Sequence, residues 1–283
     1  MNRKLIFWVL LIIALLVFAI FVLTFFLVTQ LANFLPNEDY KKEISNALKE
    51  HVPEAQRQAI LDRTFSKAQS AHLYSPNLAE MYFDVGDFYW LKGDAAKALP
   101  YLKKSADLFE KIGAAQRRGQ DGEAASLTAM CEHYAAKNSS DALHYAQMGA
   151  AAKEKMYGAA ALSTAQAEIA YGLAYFDNKD LKQARAHLQK AEEIVDTAKP
   201  RTFRNPRPRF LRYWAMGELA AVDATEHHLD LAQQEFKQSI DYADDCYGAG
   251  SATAELLLHS YSRALENAGY KKESDFYKSK LDP

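Results

Sequence analysis

A pattern of small and aromatic residues recurs from residue 74 onward, and it constrains the fold more than any other feature. Two stretches share separations of 3, 9, 4 and 3 residues: Gly86, Tyr89, Ala98, Leu102 and Ser105, then Gly172, Tyr175, Ala184, Leu188 and Ala191. Looser copies start at Met130, Ala220 and Ser262, so equivalent positions lie 44, 42, 48 and 42 residues apart. A period in this range predicts that one supersecondary unit is repeated along the chain.

Each unit has the residues that a pair of antiparallel helices requires. Glycine or alanine lets two helices approach closely, while tyrosine and leucine beside them fill the remaining space. Turn-forming residues separate the two halves of a unit at 92–94, 138–141 and 177–180. We expect the aspartates in these turns to cap the second helix of their pairs: Asp94, Asp141 and Asp180.

These units resemble the tetratricopeptide repeat (TPR) family. The family's pattern of Leu-Gly, Tyr, Ala, an aromatic or Leu, and then Ala is matched by the units that start near Ala79 and Ala165. The spacing here is longer than the usual value of about 34 residues, and it is similar to that of the kinesin-light-chain-like branch. The resemblance implies an all-α fold, in which residues 74–283 form an α-solenoid of antiparallel helix pairs.

In that family the first helix of each unit lines a concave face that binds extended peptides or partner helices. The resemblance assigns ten partner-binding residues to this face: Phe83, Asp87, Trp90, Tyr134, Gln166, Ile169, Leu173, Phe176, Trp214 and Glu218. His259 and Arg263 continue the row in the last unit. Such an apolar groove could hold an apolar or amphipathic segment, or its residues could pack on neighbouring units, and the sequence leaves both readings open.

The N-terminal segment has a different character, because residues 5 to 35 carry no charge. A helix over residues 5–28 would be about 36 Å long, enough to cross a hydrocarbon core of about 30 Å. A cleaved signal peptide would also explain Arg3 and Lys4, but the apolar run is longer than its usual core and no small-x-small cleavage site follows. Residues 1–35 are therefore predicted to hold an N-terminal tail and one transmembrane signal anchor.

The anchor makes this a predicted single-pass membrane protein. Basic residues next to a very short N-terminal tail favour a cytoplasmic tail, so the repeat domain is predicted to be extracytoplasmic. Residues 36–73 are predicted to form a linker and a leading helix pair, at 38–50 and 54–73, with Pro53 at a helix start. This pair is either a degenerate first repeat or a cap.

A basic segment at residues 199–212 interrupts an otherwise acidic body. It carries six positive charges and no acid: Lys199, Arg201, Arg204, Arg207, Arg209 and Arg212. Its three prolines predict an extended loop between two repeats. Such a loop could bind anionic lipid, an acidic protein or, in a cytoplasmic domain, nucleic acid. It could equally be a solvated loop that pairs with acidic helices nearby, such as the one that contains Glu192 and Glu193.

Motifs for catalysis, cofactors and metals are missing, since the chain has no Walker loop, Rossmann glycine pattern, HExxH or CxxC. Cys131 and His133 are close in sequence, but positions i and i+2 of a helix point apart. Both are therefore predicted to pack between helices rather than to bind a metal. The sequence predicts no enzyme, no cofactor and no metal site.

The anchor and the repeats together predict a membrane-anchored scaffold or adaptor that binds partner proteins or peptides on its concave face. The alternative is a binder of anionic surfaces, either lipid or polyanion, that acts through residues 199–212. Nucleic acid is not an expected partner, because the net charge is −2 and the repeat domain is predicted to be extracytoplasmic. Whether the chain forms homo-oligomers is left open by the sequence.

Overall fold

The structure, a computed structural model, describes residues 18, 20–24, 39–71, 75–112, 120–135, 141–197, 207–247 and 250–281. Within these ranges every regular element is a helix, as the repeat pattern predicts. The chain divides into two compact units, Met1–Leu78 and Ala79–Pro283. The helices are α1 (39–47), α2 (Glu54–Ser70), α3 (Ser75–Leu91), α4 (Ala95–Lys111), α5 (Asp121–Tyr134), α6 (Asp141–Tyr157), α7 (Leu162–Asp177), α8 (Leu181–Thr197), α9 (Arg207–Thr225), α10 (Leu229–Tyr247), α11 (Ala252–Asn267) and α12 (Lys271–Lys278).

The first unit contains α1 and α2, which lie within the two stretches predicted as a leading helix pair. Pro53 directly precedes α2, as predicted. The buried side chain of Arg57 in α2 donates to the carbonyl of Ala47, at 3.1 Å, and to that of Val52, at 2.8 Å. It therefore satisfies carbonyl groups that the end of α1 and the following turn would otherwise leave unpaired.

The predicted anchor, residues 5–28, lies outside the described residues except for residue 18 and residues 20–24. These six residues are helical, and Phe18 and Phe21 are exposed. In the part of the chain that the structure describes, no helix has both the length and the apolar character needed to cross a membrane.

In the second unit, consecutive helices pair as the repeat pattern predicts, giving five pairs from α3–α4 to α11–α12 among the described helices. A Cβ atom added to Gly86 would lie 2.5 Å from Cγ of Leu102, and one added to Gly172 would lie 2.7 Å from Cγ of Leu188. Both distances are far below van der Waals contact. The small residues of the pattern are thus required by the close approach of the two helices in a pair.

The same turn ends the first helix in four of these pairs. A residue in the left-handed region occupies the equivalent position each time: Gly93 (φ 75°), Lys179 (φ 62°), His227 (φ 66°) and Gly269 (φ 90°). The next N–H then donates to the carbonyl five residues earlier, for example from Asp94 to Tyr89 at 3.0 Å. This is a Schellman motif, which pairs the last carbonyl groups of a helix and reverses the chain in a fixed direction.

The predicted caps divide into two kinds. Asp94 and Asp180 accept hydrogen bonds from the backbone N–H three residues later, at 3.0 and 3.1 Å, so these two predictions are confirmed. Asp141 is instead the first residue of α6, and its carboxylate pairs with Lys103 at 2.6 Å. That ion pair joins the second helix of one repeat to the second helix of the next.

One prediction about the basic segment is wrong. Residues 207–212 are not a loop, because α9 begins at Arg207. Pro208 is therefore the second residue of a helix, where its ring fits the backbone angle and the missing N–H would have no intrahelical partner. Proline is well tolerated in the first turn of a helix, so Pro208 does not keep this end of the segment extended.

Candidate partner-binding surface

Four of the ten predicted concave residues are seen in contact with one another: Trp90, Tyr134, Trp214 and Glu218. Trp90, Ile169, Leu173, Trp214 and Glu218 are all at most 7% exposed. Gln166 is also 7% exposed and donates to Glu123 at 2.9 Å. The other predicted positions are half-buried: Phe83, Asp87, Tyr134 and Phe176. Partner binding by these residues remains a prediction, while their packing on neighbouring repeats is what the structure shows.

Aromatic rings from three repeats meet at the centre of this surface. The rings of Trp90 and Trp214 are stacked, with centroids 5.7 Å apart and an angle of 12° between the planes. The hydroxyl of Tyr134 accepts a hydrogen bond from Nε1 of Trp214 at 2.6 Å and donates to Glu218 at 2.5 Å. Burial and the nearby Glu218 raise the pKa of Tyr134 well above its usual range, so the hydroxyl keeps its proton.

A buried polar network continues from this centre into the last pair. Nδ1 of His133 lies 3.0 Å from Asp177, and Nε2 lies 3.0 Å from the hydroxyl of Ser260, which donates to Glu218 at 2.7 Å. Arg263 donates from Nη1 to the carbonyl of His133 at 2.7 Å. His133 itself is fully buried. The network therefore joins side chains of α5, α7, α9 and α11.

The network contains a serine, a histidine and an aspartate in the order of a catalytic triad: Ser260, His133 and Asp177. Their hydrogen bonds do not suit nucleophilic catalysis by the serine. A nucleophilic serine has to give its proton to the histidine. Here the proton of Ser260 points to Glu218, so its oxygen can only accept from Nε2 of His133. A carboxylate 2.7 Å from the attacking oxygen would also repel a developing oxyanion. The arrangement acts as a link between helices.

Together these contacts fill the middle of the predicted concave surface. We call this set the closing cluster: Trp90, His133, Tyr134, Asp177, Trp214, Glu218, Ser260 and Arg263. Its hydrogen bonds join residues as far apart in sequence as His133 and Ser260. The sequence analysis missed His133, Asp177 and Ser260, because nothing in a repeat pattern shows which non-adjacent repeats will touch.

An open cleft remains at the end of the concave surface. Its volume is about 430 Å³, and its walls come from α5, α11 and the chain from α12 onward. The lining side chains, which define the terminal cleft, are Tyr134, Glu255, His259, Ser260, Ser262, Arg263, Lys278 and Leu281. Tyr134, His259 and Arg263 are positions that the sequence analysis placed on the concave face.

Comparison with known proteins adds a likeness in fold. No family model matches the chain, and no curated protein matches it. The similar solved structures include two crystal structures of a putative kinesin light chain with nearly identical TPR-like repeats from Podosopora anserina, one of them with a single substitution. Each has 14% sequence identity to this chain and covers 74% of it, with 94% and 95% of the solved chains matched and TM-scores of 0.43 and 0.44.

The second unit itself has antiparallel pairs, small residues at the contact of each pair and a repeated left-handed turn. It is a TPR-like repeat array. In this TPR-like array the closing cluster brings together side chains of α3, α5, α7, α9 and α11.

The cysteine and histidine that are close in sequence do not form a site together. Cys131 and His133 are both fully buried, and the ring of His133 is bonded to Asp177 and Ser260. Burial and the adjacent Glu132 raise the pKa of the Cys131 thiol well above its usual range, which keeps it a thiol. Cys246 lies at the end of α10, and its side chain is outside the described part of the structure.

Among the described residues, one group could offer three ligand atoms to a metal: Asp223, Glu226 and His228. Arg185 already occupies it, with bonds to Asp223 at 2.7 Å and to Glu226 at 2.5 Å. The hydrogen bond to Asp223 is the main cause that raises the pKa of Arg185. The group is therefore an ion-pair network between the third and fourth helix pairs.

Only part of the basic segment can be placed. Lys199, Arg201 and Arg204 lie outside the described residues, and Arg207 and Arg209 are described for their helical backbone alone. Arg212 pairs with Asp196 of α8 at 3.1 Å. This contact is of the kind expected if the segment pairs with acidic helices beside it.

Proposed function

We propose that this protein is a membrane-anchored TPR-like adaptor that binds a segment of a partner protein in the terminal cleft. This choice of site is supported by a difference between two regions of the predicted concave surface. Its middle is filled by the closing cluster, whereas the cleft at its end has a volume of about 430 Å³ lined by side chains of three elements. A cleft of this size holds a few side chains of an extended segment.

The charged side chains that line the cleft indicate which charge the partner segment carries. Two cations, Arg263 and Lys278, line the cleft with side chains 25% and 42% exposed, against one acid, Glu255. The pair between Lys278 and Glu266 is at the surface and contributes little free energy, so Lys278 can exchange Glu266 for a carboxylate of a partner. Leu281 and the ring of Tyr134 add apolar contact area. We propose an acidic segment with an apolar residue beside its carboxylate.

A photo-crosslinking amino acid at position 259 tests this site in native membranes. We expect a crosslinked partner that is lost when Lys278→Glu is added and retained with Lys272→Glu, a charge reversal on an exposed lysine of the same helix. Loss of the adduct with both variants, or with neither, would show that the cleft does not select the partner.

The anchor is the second part of the proposal, and it is supported by the absence of charge in residues 5–35. We expect the full chain to require detergent for extraction from membranes, and a chain that starts at residue 36 to be released by buffer. A reporter fused to the C-terminus then gives the orientation. A reporter that is active only outside the cytoplasm should be active if the predicted topology is right. Activity of a reporter that works only in the cytoplasm would show the opposite topology.

Binding of anionic surfaces through residues 199–212 has less support, because Arg212 is engaged with Asp196. Neutralising Arg204, Arg207 and Arg209 together is the direct test of that alternative. Unchanged binding to vesicles that contain anionic lipid would exclude it.

A further inference from the structure

The fourth helix pair, α9–α10, departs from the repeat at one position between its two helices. In the first pair this position holds the stacked rings of Tyr89 and Tyr101, with centroids 6.0 Å apart. In the third pair it holds the stacked rings of Tyr175 and His187, with centroids 5.3 Å apart. The equivalent residues of the fourth pair are Asp223 and Glu235. Two carboxyl groups thus replace two rings at the same contact.

These two carboxyl groups are close neighbours. Two ionised carboxylates in this position would repel each other and could not form a hydrogen bond, because neither has a hydrogen to donate. Oε2 of Glu235 is also buried without a hydrogen-bond partner. A negative charge on that oxygen would be neither solvated nor paired, so the geometry requires a protonated Glu235 that donates to Asp223.

The charged groups around the pair reinforce this assignment. On the α8 side lie Arg185 and Glu192, and the turn before α10 contributes Glu226 and His228. Arg185 bonds to both Asp223 and Glu226, so its single charge already faces two acids. On the side of the last pair, the phenol of Tyr261 lies near Glu235, and Tyr277 and Glu273 lie near that phenol. A second charge at Glu235 would therefore lack a counter-ion.

We propose that Asp223 and Glu235 form a proton-sensitive lock between the two helices of the fourth pair, closed while they share a proton and weakened when both are ionised. Burial and the neighbouring Asp223 raise the pKa of Glu235 from 4.5 to about 7. Burial opposes ionisation of Asp223 too, but hydrogen bonds from Arg185 and His228 lower its pKa, so Asp223 is the partner that stays charged.

The direction of the pH effect follows from these two shifts. Below pH 4.5, Glu235 is protonated in both the folded and the unfolded chain, and its contribution to stability is complete. As the pH rises from 4.5 to about 7, the unfolded chain loses this proton while the folded chain keeps it, so stability is lost across that window. The lowered pKa of Asp223 affects stability only at more acidic pH, so it does not change stability within this window.

The test compares thermal unfolding of the full chain in detergent at about pH 5 and about pH 8. We expect Tm of the natural sequence to fall by about 3–8 °C more than that of the Glu235→Gln variant, whose amide can still donate to Asp223. Glu193→Gln, at an exposed position of α8, is the matched control and should follow the natural sequence. An equal fall in the natural sequence and in Glu235→Gln would overturn the proposal.

Amide hydrogen exchange gives a local readout that does not depend on the variant. After correction for the intrinsic effect of pH, we expect protection in α9 and α10 to fall several-fold relative to α3 and α4 as the pH rises. Equal changes in both pairs would also count against the lock. If Glu235→Gln does not fold, Asp223→Asn serves in its place, because it removes the carboxylate that raises the pKa of Glu235.

Discussion

The hydroxyl of Tyr134 is a single atom that bonds to two other members of the closing cluster. It accepts from Trp214 and donates to Glu218, and both partners are at most 5% exposed. Replacing Tyr134 with Phe keeps the ring but leaves a buried N–H and a buried carboxylate each without one bond. We expect the free energy of unfolding to fall by about 2–4 kcal/mol, as measured by chemical denaturation.

The control for that substitution is Tyr157→Phe. Tyr157 is 51% exposed, and the contact of its ring with Lys153 does not need the hydroxyl. This variant should stay within about 0.5 kcal/mol of the natural sequence. Equal effects at the two positions would mean that the hydrogen bonds of Tyr134 do not stabilise the concave surface.

Gly172 illustrates the packing rule at the scale of one residue. Its Cβ position is 2.7 Å from Cγ of Leu188, so Gly172→Ala should force the two helices apart and cost about 1–2 kcal/mol after the gain in helix propensity. Leu188→Ala alone should cost about 2–5 kcal/mol. In the double variant the clash is absent, so its cost should be smaller than the sum. Additive costs in urea unfolding would show that this contact does not set the helix spacing.

At the scale of the element, the helix pairs could be predicted from the sequence because their contacts are local. Gly172 and Leu188 are 16 positions apart and belong to a pattern that recurs along the chain. The capping roles of Asp94 and Asp180 were predictable for the same reason. Only two of the four left-handed turns could be predicted from a glycine in the sequence, since the other two have Lys179 and His227 at that position. There the hydrogen bonds of the turn offset the cost of the backbone angle.

A buried ion pair joins the two helices of the second pair, and its acid also accepts a hydrogen bond from the third pair. Lys153 of α6, 4% exposed, pairs with Glu123 of α5, which also accepts from Gln166 of α7. Lys153→Met would leave the carboxylate of Glu123 without this partner. We expect a loss of about 2–4 kcal/mol, at the lower end of the range for buried pairs because Glu123 is 19% exposed.

Adding Glu123→Gln to Lys153→Met distinguishes the effect of the lost ion pair from the effect of the changed side-chain shape. The uncharged double variant should recover part of the lost stability, because no buried charge then lacks a partner. Denaturant midpoints of the four chains complete the cycle. A double variant less stable than Lys153→Met would contradict the assignment of this contact as an ion pair.

At the scale of the whole repeat array, the terminal cleft and the closing cluster could not be predicted from the sequence. The contact between His133 and Ser260 depends on how far each repeat is rotated against the next, and that small angle accumulates along the array. The residues that would reveal it are ordinary for a helix interior. The family resemblance assigned Trp90, Tyr134 and Trp214 to one face, and their rings do lie together. It could not show that they would touch each other and fill that face.

The closing cluster also changes how this array should unfold. Repeat arrays with contacts only between neighbours can lose their terminal repeats separately. Here Trp90 of the first pair stacks on Trp214 of the fourth, and His133 of the second bonds to Ser260 of the fifth. These contacts couple repeats that are not adjacent in sequence. We therefore expect Ala79–Pro283 to unfold in one transition, with coincident midpoints by circular dichroism and by tryptophan fluorescence.

Trp90→Leu removes the stack and retains Trp214 as a fluorescent probe. Without that contact the repeats should become partly independent, so the two probes should give separate midpoints and the apparent m-value should fall. Leu91→Ala is the matched control, because Leu91 is the next residue of α3 and is 69% exposed. It should leave the single transition intact. Coincident transitions in Trp90→Leu, with an unchanged m-value, would mean that coupling between neighbouring repeats is sufficient and that the closing cluster stabilises the array without making it cooperative.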